Sequence, residues 1–177
     1  MRSRYKIYNK EGVFFITSSI VNWIPIFKSR KYSDILIENL KFYQINNGLI
    51  IYAYVIMPDH FHLIGSNDEL TKTIQSFKKY TAKEIITNLK RDNNLSILNE
   101  FRDEKLSYKT SSEFQVWQEG FHPQEMLNNE ILKQKIEYIH YNPVRNALVE
   151  KAEDWLYSSA KDYSIEDNGL INIKRIV

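Results

Sequence analysis

Two of the four histidines, His60 and His62, are separated by a single residue, Phe61. In a β-strand, alternate side chains point to the same face, and their Cα atoms lie about 6.5–7 Å apart. Two imidazoles at this spacing can bind one metal ion. The pattern also fits two polar side chains on a solvated face of a sheet, so the pair by itself leaves both interpretations open.

A second group of chemically capable side chains lies in the segment 137–145. Tyr138 and Asn142 are four residues apart, so in a helix they lie one above the other along the same edge. The phenol is a possible nucleophile, and the amide oxygen is a possible metal ligand. Pro143 disfavours helical backbone at the residue before it, so we expect the helix to end or bend at Asn142. Most tyrosines are packing residues, and the spacing alone does not exclude that role for Tyr138.

The elements that must position these residues follow from the apolar pattern. We predict three helices, at about 33–46, 69–90 and 129–142, and four strands, at 13–19, 49–57, 60–65 and 114–118. Strand, helix, strand, strand, helix, strand is the split βαβ arrangement. The sequence therefore predicts an α+β protein with a ferredoxin-like antiparallel sheet and its helices on one face.

The length and composition predict one packed domain over residues 1–177. The chain is 43% hydrophobic and 26% charged and contains no cysteine, which excludes disulfides, thiolate zinc sites and cysteine nucleophiles. We expect three appendages to the domain: a basic N-terminal segment (1–10), a polar loop or insertion (92–113) and a C-terminal tail of undefined form (150–177).

The net charge of +2 is unevenly distributed. Basic residues dominate the segments 1–10 and 70–91, which favours a phosphate-backbone partner but also fits a solvated helix face. The longest apolar run, at 49–57, is too short for a membrane helix, and the N-terminus has no apolar signal core. We therefore expect a cytoplasmic protein with no membrane partner. The five glycines are too scattered for a nucleotide-binding loop, so no nucleotide cofactor is expected.

Two blocks of the sequence resemble a known family. MPDHFHLI, at 57–64, resembles the HUH signature (His, bulky hydrophobic, His) of the single-tyrosine transposases. YIHYNPVRNALV, at 138–149, resembles the nucleophile block of their REP-associated tyrosine transposase branch. SFKKYTAKEI and DWLYSSAKDY are similar to that branch as well, and the resemblance covers about residues 5 to 163.

The resemblance implies an endonuclease and strand transferase acting on single-stranded DNA, with the HUH variant of the ferredoxin-like fold. His60 and His62 would bind Mg²⁺ or Mn²⁺, and Asn142 matches the position of a third ligand. Tyr138 would attack a backbone phosphate and form a covalent 5′-phosphotyrosine. The expected partner is single-stranded DNA with a hairpin, such as a REP-like palindrome. The expected protein is a nucleoid-associated monomer or homodimer.

The predicted DNA contacts are basic side chains. The segment 70–91 supplies Lys78, Lys79 and Lys83, which could contact phosphates on one helix, although a solvated face fits them nearly as well. Arg2 and Arg4 resemble the basic N-terminal segment of the REP-associated members. Arg145, which lies within the nucleophile block at 138–149, is the last predicted DNA contact.

Two other functions remain open from the sequence. One is an HUH replication or conjugation nickase, which would share the metal and the covalent step but act at an origin. The other is a domesticated nucleic-acid-binding protein that retains the fold without cleaving. Detection of a covalent protein–DNA adduct distinguishes the enzymes from the binder.

Overall fold

A four-stranded antiparallel sheet forms the centre of the structure, a computed structural model that describes residues 7, 9–106, 108, 112–164 and 169–176. The strands are β1 (Phe14–Ser19), β2 (Ile50–Ile56), β3 (His60–Ser66) and β4 (Gln124–Glu125). The helices are α1 (Arg30–Asn47), α2 (Leu70–Arg91), α3 (Leu95–Asp103), α4 (Asn129–Arg145) and α5 (Ala160–Ser164). Within the described part of the chain, no helix has both the length and the apolar content needed to cross a membrane.

The strand order β2-β3-β1-β4 places β1 and β3 in the middle of the sheet. Along the chain, β1, α1, β2, β3, α2 and β4 follow each other in the split βαβ order, so the predicted ferredoxin-like α+β fold is confirmed. The predicted hairpin between β2 and β3 is present, with Pro58 and Asp59 in its turn.

The prediction that the helices lie on one face of the sheet is wrong for α4. One face of the sheet carries Phe61 and Leu63 and packs in the larger core with α1, α2 and α3. The other face, which we call the α4 face, carries Ile64 and packs against Leu132, Ile136 and Ile139 of α4. Because strand side chains alternate between faces, a sheet with apolar residues on both faces needs a cover on each.

The predicted loop at 92–113 contains a helix, α3, so that prediction is wrong over residues 95–103. Asn94 caps α3 by accepting a hydrogen bond from the Ile97 amide (3.3 Å), and Leu98 and Phe101 are buried. A nine-residue helix with only two buried anchors gives a weak apolar pattern, which is why the sequence indicated a loop. Residues 107 and 109–111 lie outside the described residues.

Helix α4 continues beyond Asn142, so the predicted end or bend at that residue is wrong. Pro143 lies in the last turn, where its missing N–H removes only one helical hydrogen bond. Both Asn142 and Pro143 are buried, and the helix ends at Arg145. Packing against the body of the protein therefore outweighs the local preference at the residue before proline.

The predicted fourth strand at 114–118 is also wrong. Only Trp117 pairs in this segment, through an isolated antiparallel bridge to Ile20, and the regular strand β4 lies further along the chain. Gly120 adopts a left-handed conformation (φ 71°) between the two, which interrupts the pairing with β1. Phe114 and Trp117 are nevertheless buried in the larger core, which explains the strand-like pattern.

The C-terminal segment covers the free edge of β2. Ser158 forms an antiparallel bridge with Val55, and the Ile56 amide donates to the Tyr157 carbonyl (2.8 Å). Further along, the Lys174 amide donates to the Ile51 carbonyl (2.9 Å). The described part of the predicted tail therefore protects an exposed sheet edge, which would otherwise offer unpaired backbone groups to other chains.

Candidate active site

The two histidines lie at the start of the central strand β3, on the α4 face. His62 is paired across the sheet with Thr17 of β1 and Val55 of β2. The turn before the strand is fixed because the amides of Ile20 and Phe27 donate to the carbonyls of Asp59 (2.8 Å) and Pro58 (2.9 Å). The backbone thus fixes both histidines at one end of the sheet.

Each histidine uses its Nδ1 atom in a hydrogen bond. His60 Nδ1 lies 2.5 Å from Asp59 Oδ1, and His62 Nδ1 lies 2.7 Å from Thr17 Oγ1. We assign the proton to Nδ1 of His60, because a carboxylate can only accept there. Among the described residues, neither Nε2 atom has a hydrogen-bond partner, and the two rings are 4.8 Å apart between centroids. With the proton of His62 on Nδ1 as well, donated to Thr17 Oγ1, both Nε2 lone pairs would be available to one ion.

His62 is buried, with 6% of its surface exposed. Burial, with smaller contributions from the neighbouring His60 and Lys135, lowers the pKa of His62 to about 3 from its ordinary 6.5. His62 is therefore neutral at physiological pH, and a neutral imidazole is the form that binds metal ions.

Tyr138 lies beside the histidine pair. Its ring centroid is 5.8 Å from that of His62, and the side chain is 38% exposed, so a substrate can reach it. Phe15 of β1 stacks on His62 with centroids 5.2 Å apart and meets Tyr138 edge-on at 6.2 Å. The three rings form one cluster in which Phe15 supports both of the others.

Asn142 is buried one turn after Tyr138 on α4. Its Oδ1 atom accepts a hydrogen bond from Asn146 Nδ2 (3.1 Å), which leaves one of its two lone pairs for another partner. None of the hydrogen bonds or ring contacts described by the structure joins Asn142 to either histidine. Its role as a third metal ligand therefore stays a prediction.

Among the predicted DNA contacts, Arg145 lies at the site, with its guanidinium 5.3 Å from the Tyr138 ring centroid. The three lysines of α2 are elsewhere, because α2 packs against the opposite face of the sheet. Lys78 donates to the carbonyls of Gln118 (2.9 Å) and Gly120 (2.6 Å) and so ties α2 to the segment before β4. Lys79 and Lys83 are exposed.

The α2 lysines thus lie on a surface separate from the histidines, and their DNA contacts stay a prediction. Arg2 and Arg4 lie outside the described residues.

The donor set fits a divalent ion with open coordination positions. No group of three His, Asp or Glu side chains with metal-binding geometry occurs in the described ranges, so the histidine pair would need an amide, water or substrate oxygen to complete the shell. Magnesium and manganese accept such oxygen ligands readily. The residues present therefore fit the predicted Mg²⁺ or Mn²⁺.

Four residues at the site were missed by sequence reasoning: Phe15, Thr17, Asp59 and Lys135. Asp59 directly precedes His60, and Lys135 is three residues before Tyr138 on the same helix, so local spacing could have found these two. Phe15 and Thr17 approach the histidines only through the register of β1 against β3, which the sequence does not give.

Comparison with known proteins gives a curated relative and a solved structure of similar fold. The chain is 28% identical over 107 residues to a Haemophilus influenzae protein named a REP-associated tyrosine transposase. That match covers 60% of this chain and 56% of the relative, so the chain spans little more than half of the relative's length. No protein-family model matches the chain.

The structural match is a solved structure of a REP-associated tyrosine transposase bound to a REP hairpin. It has a TM-score of 0.69 at 19% identity and covers 98% of this chain and 92% of the matched chain. The match shows that the chain shares the fold of that structure, in agreement with the predicted ferredoxin-like sheet. The curated relative carries the name of the family that the two sequence blocks resemble.

Proposed function

We propose that this chain is a single-tyrosine HUH transposase that cleaves and rejoins single-stranded DNA, with hairpin-containing DNA as its substrate. The observation that carries the proposal is the contact between Tyr138 and His62, whose ring centroids are 5.8 Å apart on the α4 face. A nucleophile and a ligand pair that are about 75 residues apart in sequence thus share one site. The hairpin substrate is carried over from the structural relative, which was solved with a REP hairpin.

In this proposal His60 and His62 hold Mg²⁺ or Mn²⁺ through their Nε2 atoms, with Asn142 as the candidate third ligand. When bound, the ion withdraws negative charge from the phosphate that is attacked. Asp59 and Thr17 orient the two imidazoles through their Nδ1 atoms. Such outer partners fix the ring orientation of metal-binding histidines.

The chemical step belongs to Tyr138. Its phenol oxygen loses a proton to solvent and attacks the phosphorus of a backbone phosphodiester. The bond from Tyr138 to phosphorus forms as the bond from phosphorus to the 3′ oxygen breaks, and this oxygen takes up a proton to give a free 3′-OH. Because the 5′-phosphotyrosine conserves a phosphodiester bond, attack by another 3′-OH reverses the step and joins strands without a nucleotide cofactor.

The test is formation of a covalent protein–DNA adduct with a labelled single-stranded hairpin oligonucleotide and Mn²⁺, followed by a denaturing gel. Wild type is expected to form the adduct, and Tyr138→Phe to form none, because phenylalanine has no oxygen to attack phosphorus. The matched control is Tyr141→Phe, since Tyr141 is an exposed tyrosine on the same helix. The control variant should react like wild type.

Four outcomes would contradict the proposal. Binding without an adduct in wild type favours the non-cleaving nucleic-acid-binding protein. An adduct that survives in Tyr138→Phe shows that another residue is the nucleophile. Loss of the adduct in Tyr141→Phe alone shows that the nucleophile is Tyr141. An adduct that never transfers to a second 3′-OH favours the nickase. A chelator should abolish the adduct in wild type if the histidine pair binds a catalytic ion.

A further inference from the structure

Lys135 is a cation placed directly against the ring cluster of the proposed site. It lies three residues before Tyr138 on α4, so the two side chains occupy one side of the helix. Its ammonium nitrogen is 4.6 Å from the ring centroid of Phe15 and 5.2 Å from that of Tyr138. Contact with both rings fixes the ammonium at the mouth of the site.

This ammonium has no counter-charge in the part of the chain that the structure describes. The side chain is half-buried, and it forms neither an ion pair nor a hydrogen bond with the described residues. Partial burial of an unpaired charge is unfavourable, and contacts with aromatic rings offset only part of the cost. Such a position is stable when an anion from outside the protein completes it.

The other groups around Tyr138 add positive charge. Arg145, seven residues after Tyr138 on α4, places its guanidinium 5.3 Å from the centroid of the Tyr138 ring. The carboxylate of Asp59 is already hydrogen-bonded to His60 Nδ1. A divalent ion on the histidines would add further positive charge, so an anion between the ion and Lys135 is needed to relieve the repulsion.

We infer that the ammonium of Lys135 binds the phosphate that Tyr138 attacks, which makes Lys135 a substrate-contacting residue of this site. The inference rests on the proposed function for the identity of the anion. Lys135 then holds the phosphate on the side of the phenol, and the histidine pair holds it from the other side. The sequence blocks that predicted the site do not include this residue.

The first measurement compares three variants for the rate of adduct formation. Lys135→Gln removes the charge, Lys135→Arg keeps it, and Lys133→Gln removes an exposed charge two residues away on the same helix. We expect Lys135→Gln to slow the adduct roughly ten- to hundredfold, the effect of losing one hydrogen bond to a charged group. Lys135→Arg and Lys133→Gln should retain most of the wild-type rate. A rate for Lys135→Gln equal to that of Lys133→Gln would overturn the inference.

The second measurement tests the contact itself and does not depend on activity. The position of the cleaved phosphate is first determined with the wild-type protein, from the length of the DNA fragment that it releases. That phosphate is then replaced by a neutral methylphosphonate, and binding is measured in a Tyr138→Phe background with lysine or glutamine at 135. We expect the glutamine to weaken binding of the natural oligonucleotide but not of the methylphosphonate. Equal weakening of both would assign Lys135 a structural role only, against the inference.

The same variants distinguish failure of the inference from failure of the proposed function. If wild type forms no adduct, the proposed function fails, and binding to single-stranded DNA is measured across salt concentrations. Loss of one phosphate contact lowers the slope of log K against log salt by about 0.7. A reduction of that size in Lys135→Gln, but not in Lys133→Gln, supports phosphate binding at Lys135, and equal slopes overturn it.

Discussion

The buried imidazole of His140 gives the protein a measurable pH dependence. His140 lies on α4 and is 7% exposed, with its Nε2 atom 2.9 Å from Ser159 Oγ. Its ring also contacts Tyr163 at 5.1 Å between centroids. Burial lowers the pKa of His140 from its ordinary 6.5 to about 4, because removal from water disfavours the charged imidazolium.

The sign and size of the effect follow from proton linkage. Because the pKa of His140 is lower in the folded state, the unfolded chain takes up its proton first as the pH falls. Stability is therefore lost progressively below about pH 6.5, and the loss is complete near pH 4. For the two pKa values, linkage gives a loss of about 2 kcal/mol between about pH 7.5 and pH 5. His62 acts in the same direction with a pKa of about 3.

The assay is urea unfolding of wild type and His140→Asn at both pH values in the presence of a chelator. Asparagine keeps a hydrogen-bond donor for Ser159 but does not titrate, and the contribution of His62 is common to both proteins. Between the two pH values, the free energy of unfolding should fall by about 2 kcal/mol more for wild type than for the variant. If the two proteins lose stability equally, within about 0.5 kcal/mol, the buried position does not hold His140 neutral.

Three further predictions test contacts around the site and the core. Asp59→Asn should weaken Mn²⁺ binding roughly 10- to 100-fold, because the carboxylate that orients the neighbouring imidazole is lost; an unchanged Kd in a spectroscopic Mn²⁺ titration contradicts this. Thr81→Val should lower the free energy of unfolding in urea by about 1–3 kcal/mol, because Trp117 Nε1 loses the Thr81 Oγ1 acceptor (3.1 Å) in the buried core. The exposed Thr87→Val serves as its control, and equal losses would refute the reasoning. Phe15→Ala should slow adduct formation about tenfold, because the rings of His62 and Tyr138 lose the side chain that supports both of them. A wild-type rate would show that Phe15 does not position these rings for the reaction.

The sequence located the residues whose chemistry depends on local spacing. The histidine pair could be recognised from the alternation of side chains in a strand alone. Tyr138 could be recognised from its position on one edge of a helix. Both patterns are short, and the structure brings His60, His62 and Tyr138 close together, while their roles as ligands and nucleophile stay a prediction. The third ligand is different, because the approach of Asn142 to the histidines depends on how deep and at what angle α4 crosses the sheet.

The wrong predictions in the fold have a common cause. The apolar pattern at 114–118 reflects burial in the core, and Gly120 interrupts the pairing with β1 that this pattern suggested. At α3, two buried residues on a short helix are enough to hold it against the body of the protein, although its sequence is largely polar. In both cases contacts with distant residues outweigh the local signal.

The sequence by itself therefore determined the first three strands, the three long helices and the candidate residues for chemistry, because each depends on near neighbours in the chain. Only the tertiary structure decided that α4 lies on the face opposite the other long helices, that Thr17 meets His62 and that Lys135 reaches Phe15. These arrangements depend on strand register and on the packing of a helix across a sheet. Both result from summed contacts between segments far apart in the chain, which no local pattern of residue types encodes.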